Sequence, residues 1–272
     1  MAAALNRLLA IPCEGGQLAA TLHPAAGATG VLVVTGGVQT RWGAHRGLRT
    51  LAERLAAAGH PCLRFDRRGV GDSDGDDPGF RNSLPDIVAA RDALRAAGAT
   101  RIVGWGLCDG AAALAMHARA LGLDGLILAN PWTFDADQLD QWPPQAAIAA
   151  RYRDRLRDPA AWVRLVTGGV NLRKLVRGLA SLTHAAPLGA TTQTLVDGLA
   201  GAGPALVLLS ERDATAQVFR ALWDRGVFRT TQARVETIAG AGHTFARADD
   251  FAAMADACLR FLAEIETRIR PL

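Results

Sequence analysis

The chain has 272 residues, half of them hydrophobic and 21% charged, with a net charge of +4. That size suits one large domain with room for an insertion, and the ordinary balance of apolar and charged residues excludes a disordered or fibrous chain. No recognition motif accompanies the small positive charge, so nucleic acid is not an expected partner.

Two strands open the chain at 7–13 and 17–23, joined by Glu14-Gly15-Gly16, a hairpin signal. Val31-Leu32-Val33-Val34 is a short continuous apolar run, as in a strand buried on both faces. Leu48, Leu51 and Leu55 have helical spacing within 46–58, and Gly59 closes that helix. A strand returns at 62–66, a helix at 83–97, a strand at 101–105, a small-residue helix at 109–121 and a strand at 126–129. The alternation predicts an α/β fold with a mostly parallel sheet flanked by helices.

It breaks after Asn130-Pro131-Trp132, and about 70 residues follow without a clear strand. Strand 204–209, helix 214–224, strand 233–238 and a last amphipathic helix through Phe251, Met254, Cys258, Phe261 and Ile265 then resume it, making eight strands in all. The expected division is a core of 1–132 and 201–272, with a helical cap, 133–200, inserted after the sixth strand. Apolar cap residues such as Leu156, Trp162, Leu165 and Leu172 suggest an acyl pocket. Arginines and a lysine crowd 151–177, either as a solvated helix face or as a docking surface for an anionic carrier. No stretch of about 20 apolar residues predicts a membrane span. The first residues lack the charged start of a signal peptide, so the cytoplasm is the expected compartment.

Four cysteines, at 13, 62, 108 and 258, form no CxxC or zinc pattern, and no metal or organic cofactor is expected. Cys13, Cys62 and Cys258 read as small buried hydrophobes. Cys108 differs: Gly106-Leu107-Cys108-Asp109-Gly110 follows a strand and opens a helix. The serine version of this pattern is a nucleophile elbow, whose glycines let a strained turn pack against its neighbours. A thiol needs a base and a positive field to attack, and a helix N-terminus supplies part of that field.

His243, in the loop Gly240-Ala241-Gly242-His243-Thr244, is the expected base, and Asp213, just past strand 204–209, the orienting acid. Glu211, Asp135 and Asp137 stand as alternative acids. Backbone N–H groups of Val38 and Asp109 are the expected oxyanion donors, with Gly37 allowing close approach. Gln39, Trp132 and His45 are further candidates for substrate binding, although a structural part suits His45 and Trp132 as well. The Asp109 carboxylate beside an oxyanion is a puzzle; it could bond Arg67 or His45, or orient an incoming amine or water.

These motifs resemble the α/β-hydrolase superfamily across essentially the whole chain. More narrowly, Thr35-Gly36-Gly37-Val38-Gln39, Phe65-Asp66-Arg67-Arg68-Gly69-Val70-Gly71-Asp72-Ser73, Trp105-Gly106-Leu107-Cys108-Asp109, Asn130-Pro131-Trp132, Ser210-Glu211-Arg212-Asp213 and Gly242-His243-Thr244-Phe245 are similar to the exosortase A system-associated hydrolase 1 family of bacteria. The resemblance implies a Cys-His-Asp hydrolase or acyltransferase working through a thioester. An ester, an acyl carrier protein thioester or a coenzyme A thioester would be the donor. One departure is Gly36-Gly37 where lipase-like relatives carry His-Gly. The competing reading is a non-catalytic scaffold of the same fold that binds a ligand or carrier.

Overall fold

The structure is a computed structural model that describes residues 5–135 and 188–268. Strands β1 (Arg7–Cys13) and β2 (Gly16–His23) form an antiparallel hairpin in register Arg7 to Leu22 and Cys13 to Gly16. Glu14 and Gly15 both have positive φ, the geometry of a two-residue turn whose twist matches the strands.

Six more strands follow: β3 (Thr29–Val34), β4 (Cys62–Phe65), β5 (Arg101–Leu107), β6 (Gly125–Ala129), β7 (Ala205–Ser210) and β8 (Ala233–Ile238). The sheet order is β1-β2-β4-β3-β5-β6-β7-β8. β2 runs antiparallel to β4, and every pairing from β4 to β8 is parallel. The chain leaves β3 toward β4 on one side and returns to β5 on the other. Loops after β3 and β5 therefore part at a crevice beyond the carboxyl ends of the strands, where α/β sheets bind ligands.

Helices α1 (Gly47–Ala57), α2 (Leu84–Ala96), α3 (Asp109–Met116), α4 (Ala118–Leu121), α5 (Ala190–Ala200), α6 (Ala214–Asp224) and α7 (Ala248–Arg268) cover the two faces. Strand alternation divides the core. Leu32 and Val34 of β3 pack with Ile87 and Leu94 of α2 and Leu114 of α3. Val31 and Val33 pack with Leu51 and Leu55 of α1 and with Met254, Phe261 and Leu262 of α7. Leu51 and Leu55 are fully buried, each stabilising the fold by about 1.5–3 kcal/mol through transfer from water.

Two features differ from the sequence reading. The helix expected over 109–121 is broken at His117, which sits at φ −97°, ψ 6° between α3 and α4. Its Nε2 lies 3.0 Å from the Arg81 carbonyl oxygen, an anchor 36 residues away that no local pattern reveals. Residues 190–200, assigned by sequence to the cap, instead pack in the core layer. Leu195 and Leu199 are buried beside Leu114 and Leu121, and Gly198 lies against the Ala115 carbonyl so closely that a Cβ has no room. Residues 136–187 of the expected cap, including Asp137, Leu156, Trp162 and the arginine-rich stretch 151–177, lie outside the described residues.

Candidate active site

β5 ends at Leu107 and α3 begins at Asp109, so Cys108 alone makes the turn, at φ 59° and ψ −121°. An L-residue takes that conformation only under strain, and the surroundings must hold it there. The Cys108 N–H donates to the Ala129 carbonyl (2.9 Å), and its own carbonyl accepts from Trp132 N–H (3.1 Å). The flanking glycines have a steric cause. A Cβ on Gly106 would stand 2.7 Å from Ala111 N, and one on Gly110 would stand 2.6 Å from the carbonyl oxygens of Val34 and Thr35. Cys108 is half-buried, whereas Cys13, Cys62 and Cys258 are buried. Burial pushes the Cys62 and Cys258 thiols up to about 12 and the Cys13 thiol up to about 11, which suits inert packing residues.

His243 follows β8 and Asp213 follows β7. Asp213 caps α6: one carboxylate oxygen accepts from Ala216 N–H (2.9 Å), and the other lies 3.0 Å from His243 Nδ1. Burial pulls the His243 pKa down. Hydrogen bonds to Asp213 and Cys108, with the charges of both, outweigh it and raise the value to about 10. The ring thus bridges the thiol and the carboxylate, and both partners favour its protonated form.

Two of the alternative acids, Glu211 and Asp135, are engaged elsewhere. Glu211 Oε2 accepts from Gly240 N–H (2.6 Å) and ties down the histidine loop. Asp135 accepts from Thr191 N–H and from Arg81, and despite opposing burial these bonds lower its pKa.

Asn130, to which the sequence reading gave no role, joins these parts. It is buried at φ 45°, and its Nδ2 donates to Ser210 Oγ and to the His243 carbonyl, both at 2.9 Å. Its Oδ1 accepts from Ser210 N–H (2.8 Å). One amide therefore fastens the ends of β6 and β7 to the histidine loop. An asparagine, a residue that tolerates positive φ, directly after a predicted strand was the available signal.

The loop after β3 lies directly on the elbow. A Cβ on Gly36 would fall 2.7 Å from Asp109 Oδ1 and 3.1 Å from Cys108 Cβ, and closer still to the Leu107 carbonyl. This explains why glycine, and no histidine, occupies that place. Gly37 has φ +56°, and Val38 is 83% exposed, its N–H unpaired among the described residues. The Asp109 N–H, first in its helix, has no partner in the preceding turn.

Other expected site residues divide. Gln39 lines an apolar cavity with Leu107, Thr244, Phe245 and Met254, and its Oε1 is buried without a partner among the described residues. Trp132 sits against the elbow with its indole N–H on the Phe134 carbonyl (3.1 Å). His45 is exposed in a 3-10 turn before α1, and no hydrogen bond joins it to Asp109. Asp109 is answered differently: its Oδ1 accepts from Gly37 N–H.

A sequence profile described as the alpha/beta hydrolase family matches residues 22–257. The chain belongs to that family. An esterase from Pyrococcus furiosus has the same fold at 16% identity and a TM-score of 0.63, over 97% of this chain and 90% of that one. Est1E from Butyrivibrio proteoclasticus, solved with ferulic acid bound, aligns over 94% of this hydrolase and 99% of its own chain, at 18% identity and a TM-score of 0.61. A proline iminopeptidase from Mycobacterium smegmatis aligns over 96% and 99%, at 17% identity and a TM-score of 0.62. No protein of curated function matches the hydrolase. No described helix is long and apolar enough to cross a membrane.

Proposed function

We propose that this α/β-hydrolase is a cysteine-dependent acyl hydrolase or acyltransferase acting through a thioester. The observation that carries the reading is the chain of contacts from Cys108, strained at a helix N-terminus, to His243 and on to Asp213. Cys108 Sγ, its proton taken by His243, attacks the carbonyl carbon of an ester or thioester. A C–S bond forms, and the carbonyl oxygen becomes an oxyanion held by the Val38 and Asp109 N–H groups. The imidazolium of His243 gives its proton to the departing alcohol or thiol as the bond to it breaks. Water, or an amine or alcohol acceptor, then attacks the thioester. His243 takes the proton of that attacker and passes it to Sγ as the C–S bond breaks, so the thiol is released for the next cycle. Asp213 fixes the imidazole tautomer throughout.

Esterases of the same fold support an ester donor. The cysteine at the elbow, with the motifs shared with exosortase-associated hydrolases, supports transfer to an amine, since thioesters react well with amines. Carrier-protein or coenzyme A thioesters in the cytoplasm are the donors that the arginines of 151–177 would favour. The test is intact-protein mass spectrometry after incubation with p-nitrophenyl esters and acyl thioesters, wild type beside Cys108→Ala. An adduct present only in the wild type upholds the reading. A thiol that is inert to both acyl donors and iodoacetamide overturns it in favour of a binding scaffold.

A further inference from the structure

Arg67 lies in the turn after β4, is 2% exposed, and donates from Nη2 to the Gly37 carbonyl (2.5 Å). Its Nε and Nη1 are buried without hydrogen-bond partners among the described residues, and its nearest carboxylate in an ion pair, Asp77, is 3.9 Å away. A buried guanidinium so thinly paired costs stability, by several kcal/mol in general terms for an uncompensated charge. What it does hold is one peptide unit. In a trans peptide the C=O and the following N–H lie in one plane and point in opposite directions. A grip on the Gly37 oxygen therefore sets the direction of the Val38 N–H.

The peptide unit before it is held from the other side. Asp109 Oδ1 accepts the Gly37 N–H, which removes that donor from the site. Burial raises the Asp109 pKa, while the Gly37 N–H, Arg67 and the Gly110 N–H oppose that rise. These same partners absorb the negative charge that would otherwise face an oxyanion. Holding is needed because Gly37 has positive φ and nothing within 4 Å of where a Cβ would be. A glycine in open space does not by itself choose an orientation for its peptide units.

We infer that Arg67 and the Asp109 side chain are positioning residues that clamp Gly37 from its two ends and aim the Val38 N–H as an oxyanion donor. Asp109 thus serves twice, through its own N–H and through the loop its carboxylate secures. The inference rests on the acyl-enzyme reading above.

The experiment separates two reactions of the same thiol. Alkylation of Cys108 by iodoacetamide is a displacement that makes no oxyanion, whereas acylation by p-nitrophenyl acetate passes through one. Arg67→Met keeps the bulk and removes the donors. It should lower kcat by about 10²-fold or more, the loss expected when an oxyanion donor is removed or moved by about 1 Å. KM and the alkylation rate should stay near their wild-type values. Arg67→Lys should recover part of the loss. Asp109→Ala should resemble Arg67→Met, and Asp109→Asn, which keeps an acceptor for the Gly37 N–H, should recover part of that loss. If Arg67→Met does not fold, as judged by its melting curve, the Asp109 pair decides alone. Wild-type acylation rates in Arg67→Met, or in Asp109→Ala where Arg67→Met does not fold, overturn the inference. So does equal loss of alkylation and acylation, which would mark a merely structural role. Wild-type enzyme that alkylates but takes acyl groups from no donor overturns the acyl-enzyme reading itself, a result distinct from either.

Discussion

Gly36→Ala adds one methyl group at the most crowded point of the site. The new Cβ would stand 2.7 Å from Asp109 Oδ1, 0.7 Å inside the 3.4 Å at which ordinary contact begins, and would overlap the Leu107 carbonyl still further. Leu107 belongs to a central strand and cannot retreat, so the loop carrying Gly37 and Val38 must move by up to about 1 Å. Misplacement of that size costs about 10²-fold in rate, and overpacking costs about 1–3 kcal/mol of stability. The expected result is a folded protein with kcat toward p-nitrophenyl acetate down by about two orders of magnitude. Iodoacetamide labelling of Cys108 should persist. Gly37→Ala is the control: no atom lies within 4 Å of its Cβ, so it should carry only the strain of a left-handed residue, about 1–2 kcal/mol. Full wild-type kcat in Gly36→Ala would refute the argument that this loop is seated against the elbow.

Asp213→Asn should bring the His243 titration, followed by NMR of labelled imidazole, down from about 10. Because the folded value lies above the ordinary 6.5, the stabilisation by charged His243 is complete below that pH and is lost as pH rises toward 10. The difference in melting temperature between wild type and His243→Gln should therefore shrink across that window. Asn130→Ala leaves the buried Ser210 N–H and Oγ without their partners, and should cost about 2–4 kcal/mol in urea unfolding on the scale of two unsatisfied groups. Gly198→Ala should cost about 1–3 kcal/mol by forcing α5 from the Ala115 carbonyl, whereas a cap helix free of the core would tolerate it.

The sheet was legible because each strand carries its own apolar run and each turn its own glycine. The elbow was legible because sterics demand small residues at Gly106 and Gly110 whatever the rest of the chain does. The places of His243 and Asp213 were legible from chain order along a parallel sheet, since both follow strands at the same edge. What stayed hidden depends on partners distant in sequence. His117 breaks its helix on a carbonyl of residue 81, and Asn130 acts through residues 210 and 243. The roles of Arg67 and Asp109 follow from a shared contact with Gly37, which neither residue's neighbourhood encodes.

The point at which the chain leaves the core and rejoins it has a consequence for how such a chain can change. Asp135 accepts from the Thr191 N–H (2.9 Å), and Thr192 Oγ1 donates to the Thr133 carbonyl (3.1 Å), so the chain departs and returns at one stitched point. The closure cost of a loop grows only slowly with its length once its ends are fixed, by about 0.6 kcal/mol per doubling. Whatever lies between residues 135 and 190 can thus be lengthened, shortened or exchanged with little effect on the sheet beneath it. The sheet with its elbow and the chain between residues 135 and 190 can, in this sense, vary independently.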